Sequence, residues 1–233
     1  MWFFDNPKSY PEMLKKIAWT MFFIVLIALF LFSNISMPFS KFMESISFNM
    51  KYQKNGINLY IAYLYIPFIF ALLENILKMH DRISDLLRIR YRFDTKIIIF
   101  YSLSKLDISD KFNKVNRLNR NEIMSNIFYK YAGYARPEID PHLVYMALGT
   151  WCWYWIFLDT ILVTFVLEIM MLIYDFSWQI VFAFLMFAVI LGCISFCIKH
   201  FQCTSYAKEE VDAILNDKTR SAEVKKYLKV KLK

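Results

Sequence analysis

The sequence predicts an all-α membrane protein: a bundle of four transmembrane helices, both termini cytoplasmic, with a small helical cytoplasmic subdomain between spans 2 and 3. The first observation is composition, since 58% of the 233 residues are hydrophobic and 19% are aromatic. Soluble domains average about 45–50% apolar residues. The second observation is that four apolar runs reach the ~20 residues that a membrane-crossing helix needs. The third is that most of the 28 Lys and Arg residues lie in 78–142 and 199–233, each of which follows an apolar run.

The four apolar runs are the candidate spans, and they are Ile17–Ile35, Ile57–Leu77, Leu143–Tyr174 and Phe176–Ile198. The first and last contain no charged residue, whereas the second contains Glu74 and the third contains Asp159 and Glu168. The third helix should begin with Asp140 as its N-cap and Pro141 as its first residue, because both residue types are favoured there. The first run lacks a small-residue cleavage site and is therefore expected to remain as an anchor.

The distribution of basic residues predicts the orientation and the division of the chain. Cytoplasmic loops are enriched in Lys and Arg, so 78–142 and 199–233 are placed in the cytoplasm together with both termini. The expected segments are an interfacial segment 1–16, spans 17–77, a cytoplasmic helical subdomain 78–142, spans 143–198 and a basic C-terminal helix 199–233.

The helical pattern is expected to continue from the second span into the cytoplasm as far as Phe93. The apolar seam of this helix is Met79, Ile83, Leu86 and Phe93. An apolar stripe on a projecting helix needs a partner, which is either the rest of this loop or another subunit. Pro67, near the middle of the second span, predicts a kink that serves either packing or gating.

The three intramembrane acids are the strongest functional candidates, because a charge in lipid costs several kcal/mol. Glu74 could pair with Lys78 one turn further on, or face Asp159 at a similar depth, lining a pore vestibule or sharing a proton. Glu168 follows Asp159 by nine residues and so falls on the opposite helix face. Acids on two faces of one span favour an oligomer.

A basic cluster lies just past the second span, and it consists of Arg82, Arg88, Arg90 and Arg92. Apolar and aromatic residues alternate with its arginines, a pattern that binds anionic lipid headgroups or, as the weaker alternative, a nucleotide or nucleic acid. The three His flank different spans, so neither a metal site nor a cofactor is expected. The sequence shows no nucleophile–base pair and no phosphate-binding loop, so no enzyme activity is expected either.

The most motif-like stretch is HDRISDLLRIRYRFD, residues 80–94. In architecture the whole chain resembles the small four-helix membrane subunits of bacterial anti-phage defence systems of the Kiwa or Hailong type. That resemblance implies a tetramer, a soluble cytoplasmic partner protein, and membrane damage or partner recruitment on infection. The leading hypothesis is a homo-oligomeric inner-membrane channel or membrane-perturbing effector controlled through its cytoplasmic subdomain. The alternative is a non-conducting membrane anchor or sensor that recruits a soluble partner.

Overall fold

The computed structural model describes residues 5–47, 51–54, 57–174 and 176–233, and these are helical apart from one hairpin. The α-helices are α1 Tyr10–Ile35, α2 Met37–Ser45, α3 Ala62–Leu77, α4 Met79–Leu86, α5 Ile89–Phe93, α6 Phe100–Lys105, α7 Arg117–Met124, α8 Lys130–Ala132, α9 Pro141–Tyr174, α10 Trp178–Cys197, α11 Thr204–Leu215 and α12 Lys218–Lys231. Other helical turns are the π-helices Asp94–Ile99, Ser125–Tyr129 and Ile198–Cys203 and the 3-10 helix Ser109–Lys114. The antiparallel hairpin pairs β1 Lys51–Lys54 with β2 Ile57–Tyr60.

Within the described residues, three helices are long and apolar enough to cross a membrane, and a fourth span results if α3 and α4 count as one broken span. The three are α1, α9 and the continuous helix Trp178–Leu215, which comprises α10, the π-helix Ile198–Cys203 and α11. Within this last helix, only the α10 part is free of charged residues. The protein is therefore an all-helical membrane protein. The side of the membrane on which its termini lie stays a prediction.

The third span has the predicted start and length. The Asp140 carboxylate accepts a hydrogen bond from the His142 backbone N–H at 2.9 Å, and α9 then runs unbroken for 34 residues. A capped first turn with proline at its first position needs no tertiary support. This is why the start of α9 could be predicted from local sequence alone.

The second span does not begin at Ile57 as predicted, because Ile57–Tyr60 forms strand β2 and α3 begins only at Ala62. The 16 residues of α3 extend about 24 Å, short of the hydrocarbon layer. The segment between the first two predicted spans contains a helix, α2. Ser36 caps α2 by accepting the Phe39 N–H at 3.3 Å, and Phe39 and Met43 are buried.

The predicted continuous helix from the second span to Phe93 is wrong as well. Lys78 adopts a left-handed conformation (φ 47°), and α3 and α4 are bent by 60° at this break. Arg88 is also left-handed (φ 55°) and separates α4 from α5. The proposed seam therefore does not exist as one face: Leu86 is exposed, whereas Phe93 is buried with its ring 4.7 Å from that of Trp151.

The chain divides into two compact units. Unit 1 consists of the N-terminal segment up to Met13 with His80–Trp151 and Cys197–Lys233, and unit 2 consists of Leu14–Met79 and Cys152–Phe196. The core of unit 2 comes from α1, α2, α3 and α9, and its buried residues are Val25, Leu29, Phe39, Met43, Ala62, Tyr63, Leu167 and Met171. The core of unit 1 includes Ile99, Leu103, Ile123, Tyr131, Val211 and Leu228.

The basic C-terminal helix α12 is part of the core of unit 1. It buries Val224 and Leu228. The Lys111 and Lys114 ammonium groups donate to the Lys229 and Lys233 carbonyl oxygens at 3.3 and 2.8 Å. Cations at the negative end of the helix dipole satisfy carbonyls that the helix itself cannot pair.

Replacing Asp217 by alanine should loosen α12 locally. The Asp217 carboxylate accepts the Thr219 and Arg220 backbone N–H groups at 2.9 Å each, and these hydrogen bonds hold its pKa below the ordinary value. Amide exchange in 218–231 should become several-fold faster in D217A. Asp217→Asn keeps a capping oxygen and should exchange like the original protein; equal exchange in D217A would show that the cap is dispensable.

Candidate functional site

Two of the predicted intramembrane acids come together in unit 2. Glu74 lies near the end of α3 and Asp159 lies in α9, and both carboxyl groups are buried, with Asp159 only 2% exposed. The charge of Glu74 acts on Asp159, so the two groups interact. Like charges in a low-dielectric interior cannot both remain ionised without a compensating positive charge.

Neither carboxylate oxygen of Asp159 has a hydrogen-bond partner among the described residues. The neighbouring hydroxyls do not supply one: Thr160 and Thr164 donate to the carbonyls of Ile156 and Thr160 in their own helix, at 2.6 Å each. An unpaired buried carboxylate is costly unless it holds a proton or binds a cation. Asp159 is therefore the residue of unit 2 that most needs a bound proton or cation.

The third acid, Glu168, is also buried inside the single chain, at the level of the core residues Leu167 and Met171. The sequence argument placed it on the face opposite Asp159 and used that placement in favour of an oligomer. Glu168 is only 5% exposed within one chain, so its burial does not require a second subunit, whereas Phe165 and Ile169 on another side of α9 are exposed. The burial of Glu168 therefore gives no support to an oligomer.

One buried cation of unit 2 was missed by the sequence reasoning. Lys16, the last residue of the predicted interfacial segment 1–16, is buried, and its ammonium group lies 4.9 Å from the Trp153 ring centroid. Its burial was signalled by Met13 and Ile17 on the same side of α1, which are also buried. The buried charged residues of unit 2 in the described chain are therefore three acids and one lysine, an excess of negative charge.

The kink predicted at Pro67 stays a prediction, and a helix break lies elsewhere in the second span. Pro67 is buried inside α3, and the helix continues through it. The break lies instead at Lys78, where the left-handed backbone ends α3. A proline inside a membrane helix is tolerated when its neighbours cover the freed backbone groups, which fits a packing role for Pro67.

The predicted basic cluster is split by the structure. Arg90 is engaged, since its Nη2 donates to the Tyr129 hydroxyl at 3.2 Å and its Nη1 lies 4.0 Å from Asp81. Arg82, Arg88 and Arg92 are exposed and form no ion pair with any described residue. Of the predicted seam, Met79 and Leu86 are exposed, Ile83 is half-buried and Phe93 is buried.

Hydrogen bonds that the sequence did not indicate join the N-terminal segment of unit 1 to α4. The Tyr10 hydroxyl donates to Asp81 at 2.5 Å and lies 3.1 Å from Nε2 of the buried His80. Residues 70 positions apart carry no local signal of their contact. Residues 1–4 of the predicted interfacial segment lie outside the described residues.

Two buried acids of unit 1 were also missed. Asp94 is paired with Arg120, yet burial still raises its pKa above the ordinary value. Glu210, on α11 and thirteen residues beyond the end of α10, forms no hydrogen bond or ion pair with a described residue, and burial raises its pKa to about 8. Both acids are therefore costly elements of the unit 1 core.

No group of three or more His, Cys, Asp or Glu side chains in the described parts of the chain could hold a metal ion. The buried carboxyl groups of unit 2 can exchange a proton or attract a cation from water.

Comparison with known proteins gives a family but no fold precedent. The uncharacterized protein YmfE of Escherichia coli (strain K12) is 26% identical over 169 residues, which cover 67% of this chain and 66% of the relative, so the chain spans about two thirds of the relative's length. No solved structure matches the chain. The family model described as the YmfE protein family matches residues 9–229, which include the Glu74–Asp159 pair and most of both units. The chain therefore belongs to the YmfE protein family.

Proposed function

We propose that this protein is a homo-oligomeric inner-membrane channel that passes protons or small cations, controlled through unit 1 in the cytoplasm. The observation that carries the proposal is the buried Asp159 carboxylate, which is unpartnered among the described residues and interacts electrostatically with Glu74. A protein that only anchored a partner would have no need for such a group. Bacterial anti-phage defence is the proposed setting, and the tetramer is proposed from the architectural resemblance alone.

The charge balance of unit 2 supports cations as the conducted species. Its buried carboxyl groups outnumber its buried lysine. The interior therefore attracts positive charge, and acids inside a membrane bundle commonly mark ion and proton pathways. Anions would be repelled from the same region by Coulomb interaction in a low dielectric.

The alternative function is a non-conducting anchor or sensor that recruits a soluble cytoplasmic partner. It is favoured by one observation, the nearly complete exposure of Leu118 on unit 1 (93%). Leu118 by itself offers only a small apolar surface, so we rank this function second.

Replacing Asp159 by asparagine should reduce the flux of protons or K⁺ through the purified protein in liposomes. The expected loss is roughly tenfold or more, because one charge in an apolar interior contributes more than about 1.4 kcal/mol to cation attraction. Thr160→Val is the matched control, since the Thr160 hydroxyl bonds only to its own helix, and it should conduct normally. Unchanged flux in D159N would contradict the carboxylate mechanism, and no flux in the original protein would favour the anchor.

A further inference from the structure

Unit 1 exposes an apolar corner where α4 ends. Leu86 is 81% exposed and Leu87 is 52% exposed, and Ile83 is partly exposed one turn earlier. The inner side of α4 is already used, because His80 and Ser84 are buried. The leucines therefore point away from the core of their own unit. Their exposure to water costs free energy, which contact with a partner surface would reduce.

The corner is a fixed structure. Arg88 takes a left-handed conformation there, and the Ser84 hydroxyl accepts the Arg90 backbone N–H at 3.3 Å across the turn. A non-glycine residue in the left-handed region is strained and persists only where its surroundings determine it. This turn holds Leu86 and Leu87 outward.

Exposed basic residues flank the leucines in sequence. Arg82, Arg88 and Arg92 are exposed and make no ion pair with the described residues, whereas Arg90 is held by Tyr129 and Asp81. The one exposed carboxylate of α4, Asp85, leaves the corner with an excess of positive charge. Exposed leucines with exposed arginines before and after them in sequence are complementary to a surface with an apolar interior and an anionic outer layer.

Chain length keeps the corner close to the membrane. Leu86 follows the last residue of the apolar helix α3 by nine residues, and a helical segment of that length extends about 14 Å. The headgroup layer itself is several Å thick on each side of the hydrocarbon core. The bilayer is thus tethered close to Leu86 by the chain itself, whereas a soluble protein partner would have to diffuse to it.

We infer that the α4 corner docks on the surface of an anionic bilayer, with Ile83, Leu86 and Leu87 entering the interface and Arg82, Arg88 and Arg92 contacting lipid phosphates. The inference goes beyond the proposed channel function, because docking requires no conduction. It also revises the sequence interpretation: Ile89 and Phe93 are buried in unit 1, so the apolar partners of the arginines are the two leucines.

The test is amide hydrogen exchange of the full-length protein in nanodiscs of phosphatidylcholine, with or without phosphatidylglycerol. Exchange over residues 82–92 should be about tenfold slower when phosphatidylglycerol is present, since docking protects amides from opening. Each arginine near an anionic surface strengthens attachment about fivefold. The variant R82Q/R88Q/R92Q should therefore lose the difference between the two lipids, and L86S/L87S should lose protection in both.

The matched controls are Arg136→Gln and Leu118→Ser, which alter an exposed arginine and an exposed leucine of the same unit and should leave residues 82–92 unchanged. Exchange in 82–92 that is equally fast in both nanodiscs would overturn the inference and leave the corner free for a protein partner. Equal protection in both would overturn the role of the arginines.

Discussion

Replacing Glu210 by glutamine should stabilise unit 1 at alkaline pH and have little effect at acidic pH. The pKa of Glu210 is about 8 in the folded protein, because burial alone raises it from 4.5. Below pH 4.5 the carboxyl group is protonated in both folded and unfolded chains, so it costs nothing. Between pH 4.5 and 8 only the unfolded chain releases the proton, so stability falls as the pH rises. At about 1.4 kcal/mol for each pH unit, the complete cost above pH 8 is about 5 kcal/mol.

Thermal unfolding of the detergent-solubilised protein at pH 6 and pH 9 measures this effect. The original protein should lose much more stability between these pH values than E210Q does. Charged groups on the helices around α11 do not offset the cost, since Lys105 pairs with Asp212 and Lys130 with Glu223. Glu209→Gln is the control on the same helix, because Glu209 is exposed and should keep the pH dependence. Parallel pH profiles for the original protein and E210Q would contradict the prediction.

Replacing Arg120 by methionine should destabilise unit 1 by about 3 kcal/mol, because it leaves the Asp94 carboxylate buried without its main partner. Asp94 lies in the π-helix Asp94–Ile99, and burial raises its pKa even when Arg120 is present, so it cannot easily hold a charge alone. Chemical or thermal unfolding of the purified protein is the measurement.

The double variant D94N/R120M should recover most of the loss, since replacing both members of a buried pair costs far less than removing one. The comparison pair is Glu122 and Lys231 on the surface of unit 1, where Lys231→Ala should have a much smaller effect because solvent screens the pair. If R120M is no more damaging than K231A, Asp94 does not depend on Arg120.

The parts of the fold that local sequence determines could be predicted. Asp140 and Pro141 mark the start of α9, and the run from Trp178 to Cys197 without charged residues predicts α10, because a cap and an apolar run act within a few residues. The break at Lys78 could not be predicted, since neither glycine nor proline marks it and lysine ordinarily avoids the left-handed region. Only tertiary surroundings can hold it there.

The candidate site was predictable only in part for a related reason. An acid in an apolar run is visible in sequence, so Glu74, Asp159 and Glu168 could all be named. Whether the carboxylate oxygens of such an acid accept hydrogen bonds depends on packing, as the unpaired oxygens of Asp159 show. The burial of Lys16 beside Trp153 depends on packing as well. Glu210 looked like one more charge on a solvated helix, because its burial depends on helices far away in sequence.

The discontinuous composition of unit 1 has a consequence for biosynthesis. Its segments come from the beginning, the middle and the last 37 residues of the chain. Because α12 supplies Val224 and Leu228 to the core, unit 1 cannot close until these residues have been synthesised, which happens after all the apolar helices have been translated. A stalled or shortened nascent chain therefore carries an open unit 1, which exposes apolar surface to chaperones and proteases.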